Sequence, residues 1–190
     1  MIATTLLDRL VTKIALYDDP VAYKELFMLY HKRLIRFAIT ITKTKESAEE
    51  VVSDVFLKVW ATRSSLTRVE NMHLYLYIIT KNLSINRLLK DRKQQSFSLD
   101  EAVVDIKSIY SDPEQVMTTA EMSRRIQNSI EQLPPKCQLI FKLIREDGLK
   151  YKEVAGLLNI SLKTVENQMT IALKRIAESV KVNLLKSSLN

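Results

Sequence analysis

Residues 151–176 read YKEVAGLLNISLKTVENQMTIALKRI, and this stretch decides the fold of the second half of the chain. Apolar residues recur at helical spacing on both sides of a short polar break: Val154, Ala155 and Leu158 before it, and Val165, Met169, Ala172 and Ile176 after it. In the break, Asn159 can accept the left-handed conformation of a tight turn, and Ser161 can cap a following helix. The pattern predicts a helix-turn-helix, in which the small Ala155 suits two helices that cross closely.

Such a unit suits either a DNA-binding protein or an ordinary helical hairpin. In a DNA-binding protein, the helix that begins near Leu162 lies in the major groove. Its exposed side chains then meet the base edges, which carry the sequence information of the duplex. The stretch favours DNA binding, and the predicted base-reading residues are Lys163, Thr164, Asn167 and Gln168.

The charge of the chain is distributed in three blocks. Of its net charge of +7, residues 1–93 carry +6, residues 94–120 carry −4 and residues 121–190 carry +5. Two basic blocks suit a polyanionic partner, and the acidic block between them suits a linker. With two glycines, four prolines and no alternating apolar pattern, the chain is predicted to be all-α. We expect two small helical domains, 1–93 and 121–190, joined by the acidic linker.

Few residues suit catalysis, metal binding or membrane insertion. Cys137 is the single cysteine, which excludes a cysteine-based zinc site and suits a reducing cytoplasm. His31 and His73 lie far apart in sequence, and two glycines in helical contexts cannot form a phosphate-binding loop. The longest apolar run, residues 74–79, is too short to cross a bilayer. We expect a cytoplasmic protein that is not an enzyme and takes no metal, cofactor or small-molecule substrate.

The first domain is predicted to contain four helices. We place them at 1–17, 20–42, 47–60 and 72–92, with Asp18-Asp19-Pro20 opening the second, a capping box from Ser47 opening the third and a polar connection before the fourth. Helix 72–92 mixes Tyr75 and Tyr77 with basic and amide side chains, which suits single-stranded nucleic acid. The tyrosines fit a protein core equally well, and the basic run fits a solvated face.

The second domain is also predicted to contain four helices. A capping box at 118–121 opens the first, Pro134-Pro135 separates it from the next, and Gly148 ends that one before the helix-turn-helix. The acidic linker is predicted to hold a short helical piece at 100–106.

The order of these parts resembles the extracytoplasmic-function class of bacterial RNA polymerase sigma factors over nearly the whole chain. AEEVVSDVFLKVW (48–60) resembles the polymerase-binding helix of that family, and YLYIITKNLSINRLLK (75–90) resembles its promoter-melting and −10-reading helix. LPPK (133–136) and EDGLKYKEVAGLLNISLKTVENQM (146–169) resemble its −35-reading domain. The resemblance implies an alternative sigma factor, with region 2 at 1–93 and region 4 at 121–190. Such a protein binds core polymerase, directs it to promoters and assists promoter melting.

The resemblance also implies partners and roles for matching residues. The partners are promoter DNA, core polymerase through its β′ clamp helices and β flap, and an anti-sigma factor. Clamp-helix contacts fall on Glu49, Glu50, Ser53, Asp54 and Phe56. The residues that would hold the opened −10 strand are Asn71, His73, Tyr75, Lys81, Asn82, Asn86 and Arg87. The −35 duplex is read by Lys163, Thr164, Asn167 and Gln168, with Lys174 and Arg175 on its phosphates.

Several positions depart from the family pattern. Glu50 and Ser53 stand where the family usually has Asp and Gln, and Lys150 replaces a Ser that commonly caps the first helix of the pair. Gln168 and Ile171 occupy positions often held by Arg. Each lost phosphate contact lowers the salt-dependence slope of duplex binding by about 0.9, so a shallow dependence is predicted.

Two other functions fit parts of the sequence. A free-standing helix-turn-helix regulator that works as a dimer would use the second domain, but it leaves residues 48–60 without a purpose, and no heptad seam for a dimer is evident. A helical adaptor that binds only protein would leave the base-reading residues without a purpose. The sigma factor interpretation accounts for all three stretches.

Overall fold

The structure, a computed structural model, describes the backbone of residues 2–94 and 120–187 and the side chains of residues 6–91, 124 and 126–178. Every regular element in these stretches is a helix, which confirms the all-α prediction. The chain divides into two compact units, residues 1–105 and 106–190. The predicted linker helix at 100–106 lies outside the described residues, as do most of the linker and of the capping box at 118–121.

Residues 2–94 of the first unit form a bundle of four helices with one short 3-10 helix. Helices α2, α3 and α4 pack against one another, while α1 packs on α2 and on the 3-10 helix. Their shared core is aliphatic with four buried aromatic rings, those of Tyr30, Phe37, Phe56 and Tyr77. The elements are α1 (Ile2–Tyr17), α2 (Pro20–Thr42), α3 (Lys45–Ala61), the 3-10 helix (Arg63–Arg68) and α4 (Met72–Gln94).

The predicted start of α2 is confirmed. The Asp19 carboxylate accepts hydrogen bonds from the backbone N–H groups of Val21 (2.8 Å) and Ala22 (3.1 Å), and Pro20 occupies the first helical position. These contacts satisfy donors that the first turn of a helix leaves without partners. The helix ends at Lys43, whose φ of 71° is left-handed.

One local prediction in this unit is wrong, and the polar connection after α3 holds an element that was not predicted. Helix α3 begins at Lys45 with Thr44 as its N-cap, because the Thr44 hydroxyl accepts from the Ser47 N–H at 3.2 Å. Ser47 therefore lies inside the helix and is buried, and it does not open a capping box. The connection that follows α3 contains the 3-10 helix, because Leu66 is fully buried and requires an ordered backbone around it.

The described part of the second unit, residues 120–187, contains four helices, as predicted. Gly148 is left-handed at φ 81° before the third helix of the unit, and Asn159 is left-handed at φ 52° in the predicted turn. The Ser161 hydroxyl accepts from the Thr164 N–H at 3.0 Å, so the predicted cap of the last helix is present. The helices are α5 (Ala120–Glu131), α6 (Pro135–Arg145), α7 (Tyr151–Leu158) and α8 (Leu162–Ser187).

Candidate nucleic-acid and protein interfaces

Helix α8 presents a polar face at the helix-turn-helix. Its buried side, Val165, Met169 and Ala172, packs into the unit, and α7 approaches it across the small Ala155. On the opposite side the side chains of Lys163, Asn167 and Lys174 are exposed, whereas Thr164 and Gln168 are half-buried. Arg175 is exposed as well, but the helical repeat places it about a quarter turn away from these residues. Thr170 is exposed one turn beyond Asn167, a position that the helical repeat allows and the sequence reasoning missed.

The backbone of this helix is held from behind by Cys137. The buried thiol donates a hydrogen bond to the Gln168 carbonyl oxygen at 3.2 Å, and burial raises the pKa of Cys137, an effect that the charge of Arg175 opposes. The cysteine is therefore a neutral core residue, as expected from the sequence.

Two cations on this face are paired with carboxylates. Lys163 lies 3.6 Å from Glu166, and Lys174 lies 4.0 Å from Glu178. Each carboxylate sits on the same helix within about one turn of its lysine. A DNA group that binds either lysine therefore competes with an existing carboxylate partner.

A face of α3 is acidic and exposed. Glu49, Glu50, Ser53 and Asp54 all lie on the surface, and Lys45 pairs with Glu49 at 3.6 Å. Leu57 is 65% exposed on the same face, one turn beyond Ser53 and Asp54. An apolar side chain surrounded by acids suits a protein partner better than a nucleic acid, and the sequence reasoning overlooked it.

The structure places Phe56, one of the predicted contact residues, on the inner side of α3, away from the exposed acids. Phe56 is 2% exposed, and its ring packs against Phe27 at 4.7 Å and edge-on against Tyr23 at 6.3 Å. The Tyr23 hydroxyl donates to the Phe56 carbonyl oxygen at 2.8 Å, and burial raises the pKa of Tyr23. The helical repeat places Phe56 on the side of Val52 and Val59, so it supports the acidic face from within.

The residues predicted for the −10 strand divide between two sides of α4. Asn82 and Asn86 are exposed along one side, with Asn71 exposed just before the helix begins. Tyr75 and Lys81 are half-buried at the edges of this side. Within this set, the exposed side chains are therefore those that carry amides.

His73 lies on the inner side of the bundle. Its Nδ1 is 2.9 Å from the Tyr30 hydroxyl, and its ring packs against the rings of Tyr30 (5.6 Å) and Tyr77 (5.4 Å). Tyr77 is completely buried, so the core interpretation of that tyrosine is confirmed. The helical repeat separates His73 from Asn71 and Tyr75 by about half a turn, so it lies apart from the exposed amides.

The exposed side of α4 also carries an aliphatic row that was not predicted. Ile78, Ile85 and Leu89 are all exposed, and they alternate with the asparagines at helical spacing. Between Asn71 and Lys90 the sequence has no acidic residue. This surface, the amide-aliphatic face, can offer hydrogen bonds and apolar contacts at once without repelling a polyanion.

Arg87 lies on the inner side of α4 as well, at the boundary with α3. Its Nε donates to both oxygens of Asp91, at 2.9 Å and 3.2 Å, and its Nη1 donates to Glu50 of α3. Asp91 also accepts from the Ser47 hydroxyl at 3.3 Å. Burial lowers the pKa of Arg87, but Glu50 and Asp91 raise it by more, so it stays above its ordinary value. Asp91 was not among the predicted site residues.

Other kinds of site are missing from the part of the chain that the structure describes. There, no cluster of three or more His, Cys, Asp or Glu side chains could hold a metal ion, and no helix is long and apolar enough to cross a membrane. The candidate sites are therefore three helix faces, one each on α3, α4 and α8.

Comparisons with known families match both units. A family model described as Sigma-70 region 2 matches residues 26–94, and one described as Sigma-70, region 4 matches residues 123–176. The two matches contain the helices that carry the three faces. The chain belongs to the sigma-70 family. It is an alternative sigma factor of the extracytoplasmic-function class, and it directs RNA polymerase to promoters.

The relatives match most of the length of this chain, but at low sequence identity. The sigma factor is 23% identical to the ECF RNA polymerase sigma factor SigW of Bacillus subtilis over 158 residues, which cover 80% of this chain and 84% of SigW. It is 24% identical to the RNA polymerase sigma factor YlaC of the same organism over 86% of this chain and 92% of YlaC. The fold is similar to that of sigma factor RpoE from Bartonella quintana, solved with the anti-sigma factor NepR. The TM-score is 0.56 at 22% identity, and the match covers 84% of this chain and 97% of RpoE.

The neighbours Phe56 and Leu57 test the assignment of inner and outer sides of α3. Phe56→Ala is expected to lower the free energy of unfolding by about 3–5 kcal/mol, because it leaves a cavity between α2 and α3. Leu57→Ala is expected to change it by less than about 0.5 kcal/mol, because the side chain is exposed. Urea unfolding followed by the fluorescence of Trp60, the only tryptophan, reports on this unit. Equal losses in both variants would show that the assignment is wrong.

Proposed function

We propose that the sigma factor works through three faces with separate tasks. The acidic face of α3 binds core polymerase at the β′ clamp helices, the amide-aliphatic face of α4 holds the opened −10 strand, and the polar face of α8 reads the −35 duplex. The observation that carries this proposal is the contrast within one bundle. Helix α3 exposes a row of acids around Leu57, while α4 exposes no acid from its start to Lys90.

The chemistry of the α3 face suits a basic protein surface. Exposed carboxylates steer a positively charged partner and repel DNA, so this face discriminates against nucleic acid. Leu57 supplies an apolar anchor in the middle of those charges, which is the usual composition of a small protein interface. Glu49, Glu50, Ser53 and Asp54 surround it, and Phe56 takes no direct part.

The chemistry of the α4 face suits unpaired bases. Bases that leave the stack expose apolar surfaces and hydrogen-bonding edges together. Ile78, Ile85 and Leu89 can cover the apolar surfaces of the bases. Asn82 and Asn86 can form hydrogen bonds with the base edges. We retain Asn71, Tyr75 and Lys81 as contacts to this strand and remove His73 and Arg87 from it. A helix that captures opened bases stabilises the melted state and so assists promoter melting.

The face of α8 suits the major groove of a duplex. Asn pairs well with adenine and Lys with guanine, so the exposed Asn167 and Lys163 are the principal base readers. Lys174 and Arg175 lie two to three turns further along the helix and suit phosphate contacts. Thr164 and Gln168, which are half-buried, border the reading surface. We place the β flap of core polymerase among the contacts of this second unit.

A charge reversal on α3 tests the polymerase face. Asp54→Arg is expected to weaken binding to core polymerase roughly tenfold or more, because it opposes the electrostatic steering of the acidic face. Asp8→Arg, an exposed acid on α1, is the matched control and is expected to bind normally. Both can be measured by fluorescence anisotropy of labelled sigma factor titrated with core polymerase. Normal binding by Asp54→Arg would exclude this face as the contact.

A double substitution on α8 tests the reading face. Lys163→Ala with Asn167→Ala is expected to reduce discrimination between a target promoter and random duplex by roughly tenfold or more, since two base contacts are lost. Binding to core polymerase is expected to stay intact. Lys136→Ala, an exposed lysine on α6, serves as the control. Footprinting of the holoenzyme on genomic promoters measures the effect, and unchanged promoter choice would contradict the assignment.

We also propose an anti-sigma partner that competes with core polymerase. The proposal is supported by the family and by the similar fold of RpoE, which was solved with the anti-sigma factor NepR. A purified anti-sigma partner is expected to remove the sigma factor from core polymerase, measured by gel filtration of the mixture. A stable complex of all three components would contradict simple competition.

A further inference from the structure

Arg87 is part of a ladder of four side chains that joins α3 to α4. On α3, Ser47 and Glu50 are three residues apart, and on α4, Arg87 and Asp91 are four residues apart, so each pair shares one helix face. Arg87 donates a hydrogen bond to Glu50, 37 residues away in sequence, and the Ser47 hydroxyl donates one to Asp91, 44 residues away. The two cross-contacts and the Arg87–Asp91 pair close the ladder.

The surroundings of Arg87 argue against a DNA phosphate. Two of the guanidinium nitrogens are engaged by carboxylates, and the side chain is only 30% exposed. A phosphate at this position would approach Glu50 and Asp91, both anionic, before it could reach the guanidinium. The amides of Asn82 and Asn86 lie on a different side of the helix.

Glu50 connects this ladder to the acidic face of α3. Glu50 is one of the exposed acids of α3, and its carboxylate is held by Arg87 while 58% of the side chain remains in solvent. A planar guanidinium that binds two carboxylates fixes the direction of both more firmly than a lysine could. Ser47, in the first turn of α3, is tied to the same aspartate, so both early turns of α3 are anchored to the end of α4.

We propose that Arg87 is a positioning residue for polymerase binding and not a contact to the −10 strand. With Asp91, it orients Glu50 and fixes the acidic face of α3 relative to α4. This inference rests on the proposed function of the α3 face. It gives Asp91 a role that the sequence did not indicate, as the residue that holds Arg87 and Ser47 together.

A double-mutant cycle tests the route through Glu50. Arg87→Gln is expected to weaken binding to core polymerase roughly three- to fivefold, the scale of a partly exposed ion pair. In a Glu50→Gln background, Arg87→Gln is expected to have little further effect, because the residue that it orients has already lost its charge. Asp91→Asn is expected to resemble Arg87→Gln. Additive losses in the double variant would show that Arg87 does not act through Glu50.

The salt dependence of DNA binding distinguishes a positioning residue from a phosphate contact. The probe is a short random-sequence single-stranded DNA, bound by holoenzyme assembled at saturating concentrations of each variant. Lys81→Gln, on the amide-aliphatic face, is expected to lower the slope of log affinity against log salt by about 0.7, whereas Arg87→Gln is expected to leave it unchanged. A drop of about 0.7 for Arg87→Gln with normal polymerase affinity would overturn the proposal.

The outcomes also separate this inference from the function on which it rests. If the unsubstituted chain fails to bind core polymerase, the proposed function of the α3 face fails first. If it binds and Arg87→Gln binds equally well, only the positioning role fails. Circular dichroism and the fluorescence of Trp60 check that each variant remains folded, so that a loss of binding is not a loss of structure.

Discussion

The one-sided burial of α3 is the constraint on which the first unit depends. Val52, Val55, Phe56 and Val59 are buried between α2 and α4, and each contributes on the order of 1.5–3 kcal/mol of hydrophobic stabilisation. The exposed acids of the same helix contribute far less to stability, because solvent screens them. An α-helix has 3.6 residues per turn, so when the residues on one side of α3 pack into the core, the residues on the opposite side remain exposed to solvent. The acidic face is thus available for binding at little cost to the fold.

An aromatic cluster fixes the end of α3 to the N-terminal part of the unit. The Tyr23 ring lies 4.8 Å from that of Trp60, and the Arg63 guanidinium lies 4.7 Å from the centre of the Trp60 ring. Arg63 also pairs with Asp18 in the turn between α1 and α2, and the hydrogen bond lowers the pKa of that carboxyl. The cluster and the Arg87 ladder hold opposite ends of α3. Between these two anchors, the acidic face stays in one orientation.

The fold was predictable from the sequence because its signals are local. Asp19, Asn159 and Ser161 each act on their own turn, and the structure confirms all three. Gly148 is left-handed as expected, but it lies two residues beyond Glu146, the C-cap of α6. The sites were predictable only in part, since position in a motif does not say which way a side chain points. Phe56 matched a binding motif and is buried, because helical spacing overrides motif membership. The same test, applied to the sequence, would have found Leu57 and the aliphatic row of α4.

Arg87 shows the limit of sequence reasoning most clearly. It lies in a stretch with Asn82, Asn86 and Lys90, which predicts a DNA contact. Its actual partner, Glu50, lies on another helix, and no local pattern reports a contact across 37 residues. The capping box at Ser47 failed for a local reason, because Thr44 caps α3 three residues earlier, and the Ser47 hydroxyl inside the helix donates to the distant Asp91.

The affinity of the full chain for core RNA polymerase, measured in competition with a housekeeping sigma factor, tests the central claim most directly. Tight binding that the housekeeping factor displaces would show that the chain uses the same surface of the enzyme, as this account predicts. A folded chain, free of any inhibitor, that leaves core polymerase unbound would contradict it. Binding that a housekeeping factor does not displace would contradict the assignment of the α3 face to the clamp helices.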